Sequence, residues 1–229
     1  MLKLTWDPAW MNPFESHWSI IEKIKYANAI TSLDFVRLYG TRNFKGKLRN
    51  QHKGLFHFIG IDHNLLFESI STDLSRHTEY YLNKMTGMFS WVKTDRLLRK
   101  EFSFCDDCLS MGYHSLFHQF IFLNKCPFHL SPLSNSCKYC GGMFSCDKHN
   151  HKSKNGFQCS CSNYFVEPKF NTWSDWQMNL TIKNTLVERW VTMDLNAYNR
   201  INKSFFYVPA LINMDAPLQF LLDFGNKRS

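Results

Sequence analysis

Cys105-Asp-Asp-Cys108, Cys126-Pro-Phe-His129, Cys137-Lys-Tyr-Cys140-Gly141 and Cys159-Ser-Cys161 are four short pairs of metal-ligating side chains along one stretch of a 229-residue chain. Two intervening residues let a backbone turn over a cation so that both side chains of a pair face it, and a glycine after the second cysteine, as at Gly141, eases the turn. Four pairs supply Cys105, Cys108, Cys126, His129, Cys137, Cys140, Cys159 and Cys161, enough for two closed tetrahedral zinc sites. Sequential pairing joins the first pair to the second and the third to the fourth. A cross-braced arrangement exchanges the second and third pairs. Shorter loops cost less closure entropy, which favours sequential pairing. Cys146, His149 and His151 are spare candidates.

Outward from this stretch, the rest of the chain reads as helical. Ser16 can cap a helix, with Ser19 as an alternative start, that carries Ile20, Ile24 and Ala27 on one face with Ile21 alongside, ending at Asn28. Thr31-Ser32-Leu33-Asp34 reads as a second cap before a short helix that stops at Gly40, so the N-terminus is helix-turn-helix-like. Helical spacing returns with Leu65, Leu66, Phe67, Ile70 and Leu74, then Tyr80, Tyr81, Met85, Met88 and Trp91. After Pro168, Ser174-Asp-Trp-Gln177 has capping-box spacing, and Met178, Ile182, Leu186 and Trp190 follow at intervals of four, predicting a helix. The tail from Asn202 holds two prolines and apolar pieces. The expected fold is mainly α with a small β/zinc-knuckle module. An N-terminal helical region spans 1–100, the double zinc module 101–165 and a C-terminal helical segment 166–229.

Hydrophobic residues make up 44% of the chain and phenylalanine is common at 21 residues, enough for aromatic cores and against wholesale disorder. The N-terminal sequence lacks the apolar run and cleavage site of a signal peptide, and no apolar run approaches the ~20 residues that span a membrane. A cytoplasmic, reduced protein is the expectation, in which eight cysteines call for a metal rather than for disulfides. The formal charge of +8 favours a polyanionic partner, chiefly DNA. Arg42, Lys45, Lys47, Arg49 and Lys53 lie in a stretch with no acidic residue between Asp34 and Asp62, and are the candidate phosphate-binding residues.

No catalytic residue is expected. Four protein ligands per ion leave no open position for water, and the chain has no HExxH, phosphate-cradling GxxxxGK[ST] or GxSxG motif. Tyr113-His114-Ser115 and His118-Gln119 lie between two ligand pairs, where packing explains them better than hydrolysis. A zinc enzyme would need Cys146, His149 or His151 at an open site.

In this order the motifs resemble the TniQ family, target-selection proteins of bacterial cut-and-paste transposons that include the longer TnsD proteins. The resemblance begins with Pro13-Phe14-Glu15-Ser16, Ser19 and Asn28. It resumes with Cys105 to Leu109, Gly112-Tyr113, Cys126-Pro127-Phe128-His129, Leu133, Cys137 to Gly141 and Cys159 to Cys161. Departures are the Phe117 to Gln119 region, where a tryptophan is common, and Ser162, where a glycine often follows. The resemblance implies a non-enzymatic adaptor that marks a DNA target for transposition. Its implied partners are DNA or a DNA-bound nucleoprotein complex, such as an RNA-guided one, and an ATP-dependent transposition regulator; a homodimer is compatible with it. TnsD-like members continue into a further DNA-binding region for which this length leaves little room. The alternative is a stand-alone zinc-dependent DNA-binding regulator.

Overall fold

Of the two candidate caps, Ser16 and Ser19, it is Ser16 that opens the first helix. In the computed structural model its side chain accepts from the Ser19 amide at 3.2 Å, and α1 runs His17–Ala27. The structure describes residues 3–41, 60–89, 96–99, 101–143, 155–167, 173–203 and 215–226. Arg42, Lys45, Lys47, Arg49 and Lys53, together with Cys146, His149 and His151, lie outside the described residues.

Asn28 ends α1, and its amide also ties down the N-terminus, donating to the Ile24 and Thr5 carbonyls while accepting from the Thr5 amide. Thr31 and Asp34 form a full capping box at the start of α2 (Ser32–Tyr39), and the hydrogen bonds from Thr31 hold the Asp34 carboxyl below its ordinary range. Gly40 terminates α2 with φ −73°, so it is needed for space and not for a left-handed turn. A Cβ there would lie 2.4 Å from the Val36 carbonyl oxygen. Thr41 and Asp62 then pair with the Gly60 and Tyr39 carbonyls, bringing together the two ends of the segment that holds the basic residues.

Asp62 and Asp73 cap α3 (His63–Ile70) and α4 (Leu74–Thr86). Ile20, Ile21 and Ile24 of α1 pack with Phe35, Tyr39, Leu66, Ile70 and Leu74 in one core. A short helix, α5 (Asp106–Ser110), begins at the first ligand pair. The C-terminal segment supplies α6 (Thr185–Thr192), α7 (Leu195–Lys203) and α8 (Asp215–Asn226). The larger core runs through all three segments, from Phe14 through the cysteine module to Leu222. At its centre Trp190 is fully buried, donates through Nε1 to the Met85 carbonyl at 2.9 Å, and meets the rings of Phe89, Phe117, Phe120 and Phe122. Four of the 21 phenylalanines serve this cluster.

Two expectations are corrected. The helix predicted from Ser174 does not form there: a 3-10 turn spans Trp173–Trp176, and the next helix, α6, starts at Thr185 under an Asn184 cap. Between them the chain is extended. Met178, Leu180 and Ile182 are half-buried against the core and alternate with exposed neighbours. The pattern 178, 182 fits a two-residue period as well as a helical one. The amides of Lys183 and Asn184 both donate to the Pro127 carbonyl, a tertiary contact that holds the segment out of helix. The expected small β module is also reduced: among the described residues there are isolated antiparallel bridges and no strand. No helix among them is long and apolar enough to cross a membrane.

Candidate metal centres

The first pair sits at a helix start. Cys105 is the N-cap residue of α5, and Cys108 lies in its first turn, so both sulfurs leave the same end of the helix. The second pair sits in a tight turn closed by the Lys125–Pro132 bridge, with the Leu130 amide donating to the Cys126 carbonyl and the Cys126 amide to Ser131. The two pairs converge. His129 Nδ1 lies 3.5 Å from Cys105 Sγ, 3.3 Å from Cys108 Sγ and 3.7 Å from Cys126 Sγ, and the Cys108 and Cys126 sulfurs are 3.6 Å apart.

The third and fourth pairs repeat this design. Bridges Ser136–Met143 and Gln158–Tyr164 close their turns. The Cys137 and Cys161 sulfurs are 4.0 Å apart, and those of Cys140 and Cys159 3.8 Å apart. In each set of four, all donor atoms lie within 4.8 Å of one another. Pairing is therefore sequential: Cys105, Cys108, Cys126 and His129 in one centre, Cys137, Cys140, Cys159 and Cys161 in the other.

These separations decide between two chemistries. A disulfide needs sulfurs about 2.05 Å apart, and none of these contacts approaches that. A tetrahedral ion with metal–sulfur bonds of about 2.3 Å puts its ligand sulfurs about 3.8 Å apart, which matches. Each centre can thus hold one four-coordinate metal ion with every position filled by protein.

The residue after the second ligand of three pairs takes a left-handed backbone: Leu130 at φ 61°, Gly141 at φ 67° and Ser162 at φ 71°. Sequence reading found this position at Gly141 and noted Ser162 as a departure, but missed Leu130. The shared register, one residue past the second ligand, was the available signal. It also missed the supporting shell. Ser131 Oγ lies 3.2 Å from Cys105 Sγ and donates to Asp107 at 2.9 Å, and Asn163 Nδ2 donates to Cys161 Sγ at 3.3 Å. Short polar residues beside ligands are too common for sequence to single these out.

The thiols within each centre do not share one proton affinity, and hydrogen bonds from the Cys108 and Cys126 thiols hold Cys105 well below its ordinary range. In the first, burial holds the Cys108 thiol well above its ordinary range, and interaction with the Cys105 sulfur pushes Cys126 up to about 12. In the second, burial pushes Cys159 up to about 12, while the Asn163 hydrogen bonds bring Cys161 down to about 6. Gathered thiols resist ionising together, and a divalent cation supplies the missing positive charge. The centres differ in access. Cys105, Cys108 and Cys126 have no exposed surface, whereas Cys140 is exposed.

The histidines between the ligand pairs belong to packing. His114 is fully buried and stacked on Phe102 with centroids 4.5 Å apart. Its Nδ1 meets Ser16 Oγ and its Nε2 the Ser103 carbonyl, each at 2.8 Å, and burial brings its pKa down to about 4. The Pro13–Ser16 segment is clamped onto this stretch. Tyr113 donates to the Pro13 carbonyl, the Leu116 amide to Phe14 and the Ser16 amide to His114. Glu15 lies beneath, fully buried, with Lys23 Nζ at 2.7 Å. The Pro13–Ser16 motif and the Tyr113–Leu116 stretch thus form a seam joining the N-terminal helices to the metal module. No protein-family model matches the chain, and no curated protein matches it at a significant level.

Proposed function

We propose that the chain is a zinc-binding, non-enzymatic adaptor of the TniQ kind, which marks a DNA target for transposition by binding DNA or a DNA-bound complex and recruiting transposition proteins. The observation that carries this reading is the way the motifs of the resemblance come together. The eight ligands fall into two four-ligand centres, and the Pro13–Ser16 segment docks on the Gly112–Leu116 stretch, which lies between the two ligand pairs of the first centre. Residues that are scattered in sequence therefore serve one scaffold.

Zinc is the proposed ion in both centres, because it takes thiolate and imidazole together in tetrahedral structural sites. Filled centres supply no activated water, so the chemistry of transposition belongs to partners. In this reading the helix-turn-helix-like pair makes protein or DNA contacts through α2, whose Leu33, Arg37 and Leu38 are exposed, since most of α1 is buried. Arg42, Lys45, Lys47, Arg49 and Lys53 supply phosphate contacts.

The test is affinity capture of the tagged full-length chain from its native host, with and without nuclease, followed by mass spectrometry. The reading predicts that a transposition ATPase or transposase is recovered in both samples. Recovery of DNA-dependent neighbours alone, all lost with nuclease, would favour the stand-alone regulator.

A further inference from the structure

Beside the second centre, Tyr26, Ala29, Asn155, Tyr164 and Val166 line an open cavity of about 360 Å³, within the ~300–1,000 Å³ range of small-ligand pockets. We propose that it receives one unstacked nucleobase of a single-stranded nucleic acid. The proposal rests on the nucleic-acid reading above and adds a ligand class and a site to it.

The pocket is built in advance. Its two walls, the end of α1 and the turn of the fourth ligand pair, are locked together at Gly156, where an added Cβ would lie 2.2 Å from the Glu22 carbonyl oxygen and 2.7 Å from the Tyr26 amide nitrogen. The Phe157 amide donates to Glu22 Oε2 at 2.7 Å, and Lys25 holds the other carboxylate oxygen at 2.6 Å. Tyr164 is fixed from its own side by the bridge to Gln158, next to Cys159. A preformed pocket avoids the cost of ordering its walls on binding.

Its chemistry selects a flat, neutral, polar-edged ligand. Tyr26 is 39% and Tyr164 40% exposed, so each keeps open ring surface, and the rings stand at 88° with centroids 6.5 Å apart. A base stacked on one ring presents its edge to the other. Asn155 spends one N–H on the Tyr164 hydroxyl at 2.6 Å, leaving its carbonyl oxygen and second N–H to pair with a base edge, as amide side chains do. Among the described residues no cation lines the cavity, and a four-thiolate centre, once filled by a divalent ion, would carry a net charge of about −2 beside it. A phosphate is disfavoured there. The +8 chain as a whole attracts the polyanion, and the pocket takes the uncharged part. A base within a duplex is already stacked and cannot enter.

The experiment uses the zinc-loaded full-length chain and fluorescence anisotropy with three labelled probes: a mixed-sequence DNA single strand of about twelve nucleotides, the same strand with abasic sugars, and a duplex. Tyr26→Leu keeps the apolar volume and removes the ring. It should weaken binding of the normal strand roughly 5- to 150-fold, and leave the abasic strand and the duplex unaffected. Asn155→Ala, which leaves α1 untouched, should alter the preference among bases and serves if the first variant misfolds. Equal binding of the normal strand by wild type and both folded variants would overturn the proposal. So would an equal loss on the abasic strand, which would mean phosphate contact. Loss of a captured protein partner with single-strand binding unchanged would assign the pocket to a peptide and also overturn it. Failure of the transposition reading would show separately, as absence of transposition proteins from the capture while base-dependent binding persists.

Discussion

Replacing Lys23 by methionine tests the seam between the N-terminal helices and the metal module. Lys23 and Glu15 are both fully buried, with Nζ 2.7 Å from Oε1 and 3.0 Å from Oε2. Nζ also donates to the Trp10 carbonyl at 2.6 Å. Burial lowers the Lys23 pKa, and the Glu15 charge opposes that shift. Removing one member of a buried pair costs about 3–5 kcal/mol, because the other charge stays buried. Glu15 would keep donors from Ser19 Oγ at 2.6 Å and the Asn12 amide at 2.9 Å, which places Lys23→Met near the lower end, at roughly 3 kcal/mol. Glu15→Gln preserves shape and should cost a comparable amount. The double variant removes both charges and should cost less than the sum of the singles by about 2 kcal/mol or more. Urea unfolding at fixed free zinc reads all four proteins, with zinc buffered because metal binding contributes to stability. A loss below about 1 kcal/mol for Lys23→Met, or additive singles, would refute the view that these charges depend on each other.

His114 has a folded pKa of about 4, against about 6.5 unfolded, so the unfolded chain binds the extra proton. Its contribution is complete above pH 6.5 and falls as pH drops towards 4. Stability should fall by about 1 kcal/mol more between pH 7 and 5.5 in the wild type than in His114→Gln, measured by urea unfolding at each pH. At Gly141 an added Cβ meets nothing within 4 Å, so Gly141→Ala should cost only the left-handed penalty of about 1–2 kcal/mol. Ser162→Gly should stabilise by several tenths of a kcal/mol or more, both read as shifts in the urea midpoint. Replacing Lys45, Lys47 and Arg49 together by alanine should weaken DNA binding alike on all sequences. The slope of log affinity against log salt should flatten by about two to three units, and a changed sequence preference with the same slope would mean base contacts instead.

The metal ligands were legible because each pair is local: a turn of a few residues presents two donors whatever the rest of the chain does. The caps at Ser16 and Thr31 were legible for the same reason. Legibility ended where distant segments decide. Met178 and Ile182 fit a helix by spacing, yet the Pro127 carbonyl takes the amides of Lys183 and Asn184 and keeps the segment extended. A packing role for His114 was expected from its place between ligand pairs, but its partner Ser16, 98 positions away, was not. Glu15, just before α1, and Lys23, within it, are eight residues apart, and the contacts of Lys23 with Trp10 and Trp176 that help bury the pair come from distant segments. Leu130 was hidden for another reason: a bulky residue gives no hint of a left-handed backbone, which geometry at a ligand turn can impose.

The central claim is that two closed metal centres hold this scaffold together, and the zinc content of the folded protein tests it most directly. Elemental analysis of protein purified without added metal, normalised to chain concentration, should give two zinc ions per chain, since each set of four donors can fill one tetrahedron. A well-folded sample carrying one zinc or less per chain would contradict the account.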